Sequence, residues 1–246
     1  MRCSKWRQGL MAALVSFALG DAQAGDAPPD LSGIWTFYNP GGAGFRRGAG
    51  AAEELPFTDP AKQKVAEYRA LVAAGGESPG GFCVGSGMPG SMLGSGGYPM
   101  EIIQRPEQIT VIYEAHTEIR RIYLNGPEVS DEDLFATRNG YSRGHWDGAT
   151  LVVETKALME QVDQMYAHSE EARIVERYRL SKDEVGKDIL TAEMTLEDPK
   201  FYAKPATAVK RWTRAEAGAR MLPYECNEPA WRDHLEALAK KAHGQD

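Results

Sequence analysis

Between residues 100 and 224 apolar and polar side chains alternate at a period of two, the spacing of a strand with one buried face. MEIIQ (100–104) and QITVIYEA (108–115) flank Arg105, Pro106 and Glu107, which read as a turn. A third run, HTEIRRIYLNG (116–126), ends on Asn125 and Gly126. HWDGATLVVETKA predicts a hairpin folded about Asp147 and Gly148, with Leu151, Val153 and Thr155 on one side. ARIVERYRL, ILTAEMTLED and AVKRWTRA follow; in the second, Leu190, Ala192, Met194 and Leu196 share a face. A shorter strand, LSGIWTF (31–37), stands well ahead of the rest.

That makes eight or nine strands, with short connections except between 156 and 171, and no helices alternating with them. The fold class this predicts is mainly β: an antiparallel up-and-down β-barrel, since closure removes the sheet edges. Two helices accompany it. The first has Asp59 as N-cap, Pro60 at its first position and a stripe of Val65, Tyr68 and Val72. The second, NEPAWRDHLEALAKKA, starts on Asn227 and carries Trp231, Leu235 and Leu238 on one face. Residues 75–99 are too rich in glycine to predict regular structure.

The first 24 residues change the picture of where the chain works. Arg2, Lys5 and Arg7 precede an apolar run from Leu10 to Leu19, and Ala22-Gln23-Ala24 offers a small-x-small cleavage site. That order reads as a secretory signal peptide, 1–24, followed by one domain, 25–246, with a helix and glycine-loop insertion at about 40–99. Its removal takes away three positive charges and one negative, moving the formal charge from −7 to −9. So acidic a chain, with no basic run, argues against nucleic acid and against stable insertion in an anionic membrane. The expected location is periplasmic or secreted. There, Cys83 and Cys226 are expected to form a disulfide pinning the glycine-rich segment to the C-terminal part.

GSGMPG (85–90) matches the spacing of a dinucleotide-binding loop but lacks the preceding parallel strand and following helix. No cofactor is predicted. Met88, Met92 and Met100 near Cys83 suit an adaptable apolar surface or, alternatively, a soft-metal site. His116, His145 and His168 have no metal-ligand spacing, so no metal residues are assigned.

The chemistry centres on 116–124. On a strand, His116, Glu118, Arg120, Ile122 and Leu124 share one side and Thr117, Ile119, Arg121 and Tyr123 the other. Ile119 and Tyr123 make the second side the expected interior, which turns Arg121 inward. A buried guanidinium keeps its charge and needs an anion. Glu176, on a core-like face with Ile174, Tyr178 and Leu180, is the expected partner, with Glu154 in reserve. Such a pair either fixes barrel register or forms the polar floor of a pocket. In the second case His116 or His168 would move a proton, Arg121 would stabilise negative charge, and Tyr123 would donate a hydrogen bond. Trp35, Tyr98, Met100, Tyr113, Trp146 and Glu154 would line the ligand pocket.

Several stretches carry a resemblance. They are DLSGIW from Asp30 to Trp35, YPMEI from Tyr98 to Ile102, RRIYLNG from Arg120 to Gly126 and GYSRGHWDGATLVVET from Gly140 to Thr155. HSE at His168 and VERYR from Val175 to Arg179 complete the set. Together they resemble a broad family of secreted bacterial proteins, over nearly the whole mature chain; the likeness implies export and names no activity. Ala149 stands where that family usually has an acidic residue and His145 where arginine is common. The glycine-x-tryptophan of the first strand also looks like the lipocalin, or calycin, architecture at the fold level, which implies a small apolar ligand by analogy. Two function classes follow. One is an exported enzyme acting by proton transfer (lyase, isomerase or hydrolase) on a small apolar or aromatic molecule. The other is a non-catalytic carrier whose arginine pairs with a ligand carboxylate.

Overall fold

The computed structural model describes residues 27–38, 55–75, 79–94 and 97–242. The expected signal peptide, 1–24, lies outside the described residues. Nine strands form a closed barrel in sequence order: β1 (Gly33–Phe37), β2 (Met100–Gln104), β3 (Gln108–Tyr113), β4 (Glu118–Tyr123), β5 (Tyr141–Asp147), β6 (Thr150–Lys156), β7 (Arg173–Lys182), β8 (Asp188–Glu197) and β9 (Ala206–Arg214), with β9 pairing back to β1. The mainly-β barrel is as the alternation predicts.

One pair departs from the up-and-down expectation: β4 and β5 run parallel, in register only at Ile122↔Ser142 and Tyr123↔Arg143. Geometry demands this. Strand direction flips at each antiparallel contact, and a closed ring must return to its starting direction, so nine strands admit an even number of flips and leave one parallel contact. The chain meets that demand with a second long connection, residues 124–140, which carries it back along the barrel before β5 begins.

Inward positions fill the lumen. Trp35, Met100, Ile102, Ile109, Val111, Tyr113, Ile122, Leu151, Val153, Ile174, Tyr178, Leu190, Ala192, Met194, Leu196 and Trp212 are buried, following the pleat strand by strand. The seam between first and last strands is locked by a stack. The Arg214 guanidinium lies 4.4 Å from the Trp35 ring and bonds to Asp188 at 2.8 Å, while Trp35 Nε1 donates to the Leu31 carbonyl at 2.9 Å.

Helix α1 (Asp59–Gly75) buries Ala61 and Val65. Its cap comes one residue earlier than predicted, Thr58 Oγ1 accepting from the Ala61 N–H at 3.4 Å while its own hydroxyl donates to the Lys200 carbonyl. The glycine-rich segment holds more structure than glycine content predicts: a 3₁₀ turn at Pro79–Phe82 and the single-turn helix α2 (Gly90–Leu93). Pro89 stands just before that turn, where no N–H is needed. The terminal helix α3 (Asn227–Ala242) is present, but its apolar face is not packed; Trp231 is 58% exposed, and Leu235 and Leu238 nearly as much.

Candidate functional site

The parity of β4 is opposite to the sequence-based expectation. Arg120 is buried, at 1% exposure, while Arg121 is exposed on the outer wall. The register explains it. β3 turns Ile109, Val111 and Tyr113 inward, and directly opposed antiparallel partners share a face, so Ile122, Arg120 and Glu118 point in. Ile119 is left 44% exposed. His116 and Thr117 take left-handed φ of 58° and 51°, so the strand begins at Glu118 and alternation cannot be run through from 116.

The interior tolerates Arg120 because it is neutralised and hydrogen-bonded. Nη1 donates to Glu176 Oε1 at 3.0 Å and Nη2 bonds to Oε2, a bidentate pair. Nη2 also donates to Thr155 Oγ1 at 2.8 Å and Nε to Ser142 Oγ at 3.1 Å, and those two hydroxyls are 2.9 Å apart. Tyr178 donates to Glu176 Oε1 at 2.7 Å and lies 3.3 Å from Met92 Sδ. Burial alone would lower the arginine's pKa, but Glu176 holds it above its ordinary value. Burial likewise pushes the Tyr113 phenol up to about 12 and Tyr178 well above its usual range, so both stay neutral. Glu176 thus finds its arginine, one residue from the expected one. Ser142 and Thr155 were not singled out from the sequence. Their signal was a small hydroxyl residue at an inward position of an otherwise apolar strand.

The segment 85–92 closes this cluster from one side. Glu118 accepts from the Ser86 N–H at 3.0 Å, the Gly87 N–H at 2.9 Å and the Ser91 hydroxyl at 2.7 Å. A Cβ at Gly85 would lie 2.4 Å from the Glu118 carboxyl carbon, which accounts for glycine there. Arg138 donates to the Gly85 carbonyl and pairs with Asp163, and Gln161 donates to Ser86. Met88, Ser91 and Met92 are buried behind these bonds. The expected disulfide, Cys83–Cys226, ties the same segment to the C-terminal part. The glycine loop is a tethered plug.

The other expected site residues scatter. Trp35, Met100 and Tyr113 are buried in the lumen, and Trp146 packs half-buried against the core. Tyr123 and Glu154 lie on the outer wall, Tyr123 stacked on Tyr141 at 5.5 Å and Glu154 exposed. Glu154 faces out because Leu151, Val153 and Thr155 take the inward positions of β6. His116 sits near the disulfide, against Gly80 and 4.8 Å from the Tyr224 ring, which Tyr98 meets edge-on at 5.6 Å. His168 is buried in the connection 157–172, its Nδ1 3.0 Å from the Tyr166 carbonyl and its Nε2 without a well-formed hydrogen bond. Burial holds its pKa below the ordinary value, against the pull of Asp198 and Asp163. Among the described residues no hydrogen bond, ion pair or ring contact joins His116, His168 and Arg121 to one another. Sequence reasoning also passed over Lys210. It points inward, donates to the Leu93 carbonyl at 3.2 Å and lies 4.6 Å from the Phe37 ring, with burial lowering its pKa.

A different feature gathers the free groups. Before β5, the chain swings away from β4: Thr137 bonds to Ala157 and Met159, and Gly140 turns at φ 64° with no room for a Cβ against the Lys156 carbonyl. Between β4 and this diverging segment lies a cleft of about 340 Å³, walled by Ile119, Arg121, Tyr123, Asn139 and Tyr141 and reaching the buried Arg120 and Ser142. The Arg121 side chain makes no ion pair or hydrogen bond among the described residues. A guanidinium beside stacked tyrosines can receive a carboxylate and the flat or apolar body attached to it.

A closed nine-stranded barrel with a plugged lumen and a cleft beside β4 is the class the fold defines. Neither the scan against protein-family models nor the search of curated proteins finds a match. Among the described residues no helix is long and apolar enough to cross a membrane.

Proposed function

We propose that the protein is an exported, non-catalytic binding module that holds a small apolar or aromatic carboxylate in the cleft between β4 and β5, with the barrel as its rigid support. The observation that carries this reading is the contrast in spare valence. The Arg121 side chain faces the cleft bonded to none of the described residues, while Arg120, the lumenal arginine, is committed to Glu176, Ser142 and Thr155. Export is supported by the leader-like sequence of residues 1–24 and by the disulfide. Against the alternative of lumenal acid–base catalysis stands the need for a substrate to reach His168 and a free oxyanion donor together, and Arg120 and Tyr178, the donors beside Glu176, are bonded to it.

The test is calorimetric titration of the mature chain with benzoate and indole-3-acetate, beside Arg121→Met. Saturable binding that Arg121→Met abolishes supports the reading; binding indifferent to that substitution, or none, overturns it.

A further inference from the structure

β4 is paired with β3 along its whole length, but with β5 only at Ile122 and Tyr123. The stretch Glu118–Arg121 therefore presents an open strand edge on its other side, and no backbone hydrogen bond joins it to residues 137–140. β9 likewise runs past the end of β1, with which it pairs only at Trp212, Thr213 and Arg214, but the edge on β4 is the one that borders the cleft and Arg121. An open edge is a template for a further strand, since its N–H and C=O groups lie ready at the ladder spacing.

The edge has a blind end. An added strand beside residues 118–121 meets β5 at the level of Ile122, where Ser142 already occupies the pairing position and Tyr141 stands in the way. A chain passing through is excluded, and a chain that stops there is accommodated. The charge at that end is the guanidinium of Arg121, without a partner among the described residues, which selects a carboxylate over an ammonium group. Asn139, on the facing wall, keeps Oδ1 buried without a hydrogen-bond donor, a lack that an arriving peptide N–H would relieve.

We infer that the cleft is a strand-addition site for the extended C-terminal end of a peptide, which runs parallel to β4, in line with β5, and delivers its terminal carboxylate to Arg121. Four residues of strand span about 13 Å, so recognition reaches three or four residues back from the terminus. The outward neighbours along β4, Ile119 and Tyr123, favour apolar side chains on the peptide. This inference rests on the binding reading above and names the ligand class for the same cleft.

The experiment is calorimetric titration of the mature protein with four probes: acetyl-tetravaline with a free C-terminus, its C-terminal amide, the free acid N-methylated at alternate peptide nitrogens, and benzoate. The free acid is expected to bind best. Amidation should weaken it at least tenfold, and N-methylation should abolish binding by removing ladder donors. In Arg121→Met the acid should bind no better than the amide does to wild type. Tetravaline binding that ignores amidation or N-methylation overturns strand addition. Benzoate binding that depends on Arg121, with no peptide binding, overturns strand addition and leaves the small-carboxylate reading standing. Failure of all four probes overturns both.

Discussion

On the inner face of β4, Arg120 donates to a carboxylate and two hydroxyls, in a lumen closed by Met88 and Met92. One residue on, across the thickness of the same strand, Arg121 faces a cleft with no partner among the described residues. The two side chains have identical chemistry and differ in what surrounds them. Around Arg120, three strands contribute groups that complete its bonds: Ser142 from β5, Thr155 from β6, Glu176 and Tyr178 from β7. Such a cluster fixes which strand sits beside which, and its arginine has little left to offer a ligand. Around Arg121, the parallel contact has pulled the next strand away. An arginine inside a β-barrel is therefore not by itself a sign of a pocket; its unspent donors are the better sign.

The contrast breaks first under substitution of the inner residue. Arg120→Met leaves Glu176 buried without its counterion and is expected to cost about 3–5 kcal/mol in urea unfolding, while adding Glu176→Leu should recover most of that loss. A double variant as unstable as the single one would mean the pair is not the unit described.

His168 sharpens the picture at intermediate scale. Its folded-state pKa lies below the ordinary 6.5, so between those two values the unfolded chain binds a proton that the folded chain refuses. The neutral, buried ring is fully tolerated above 6.5, and stability falls as pH drops through that window, by at most about 1.4 kcal/mol per pH unit for one proton. Unfolding measured against pH for wild type and His168→Gln should differ by that slope, and parallel curves would mean the imidazole is not held neutral.

The smallest stability effect belongs to the outer residue. Arg121→Met should shift the unfolding midpoint by no more than about 0.5 kcal/mol equivalent, the range of surface substitutions. A larger loss would reveal a structural role for a side chain without partners among the described residues.

Much of the architecture was legible in the sequence, because period-two alternation reports directly on which residues share a face. Leu190, Ala192, Met194 and Leu196 line the lumen as their spacing predicts, as do Ile174, Glu176 and Tyr178. The Cys83–Cys226 bond followed from the two cysteines, of three, that lie beyond an export-like leader. What failed was parity at β4. Local hydrophobicity set Ile119 and Tyr123 against Arg120 and Ile122, and four buried polar contacts from distant strands reversed the balance. The unambiguous Ile109, Val111 and Tyr113 of the neighbouring strand would have corrected it, since paired residues share a face. The cleft itself was hidden. It depends on where the odd strand puts its parallel contact, and on a turn at Gly140 whose cause is the position of the Lys156 carbonyl. The unpacked stripe of α3 was likewise invisible, because amphipathic spacing says that a helix has an apolar face and not what covers it.

Amide chemical-shift mapping with acetyl-tetravaline tests the outer-cleft account most directly. The account predicts shifts confined to residues 118–123 and 137–142, saturating with peptide and absent in Arg121→Met. Shifts centred on the lumenal Val153, Glu176 and Met194, with the cleft amides unmoved, would contradict it.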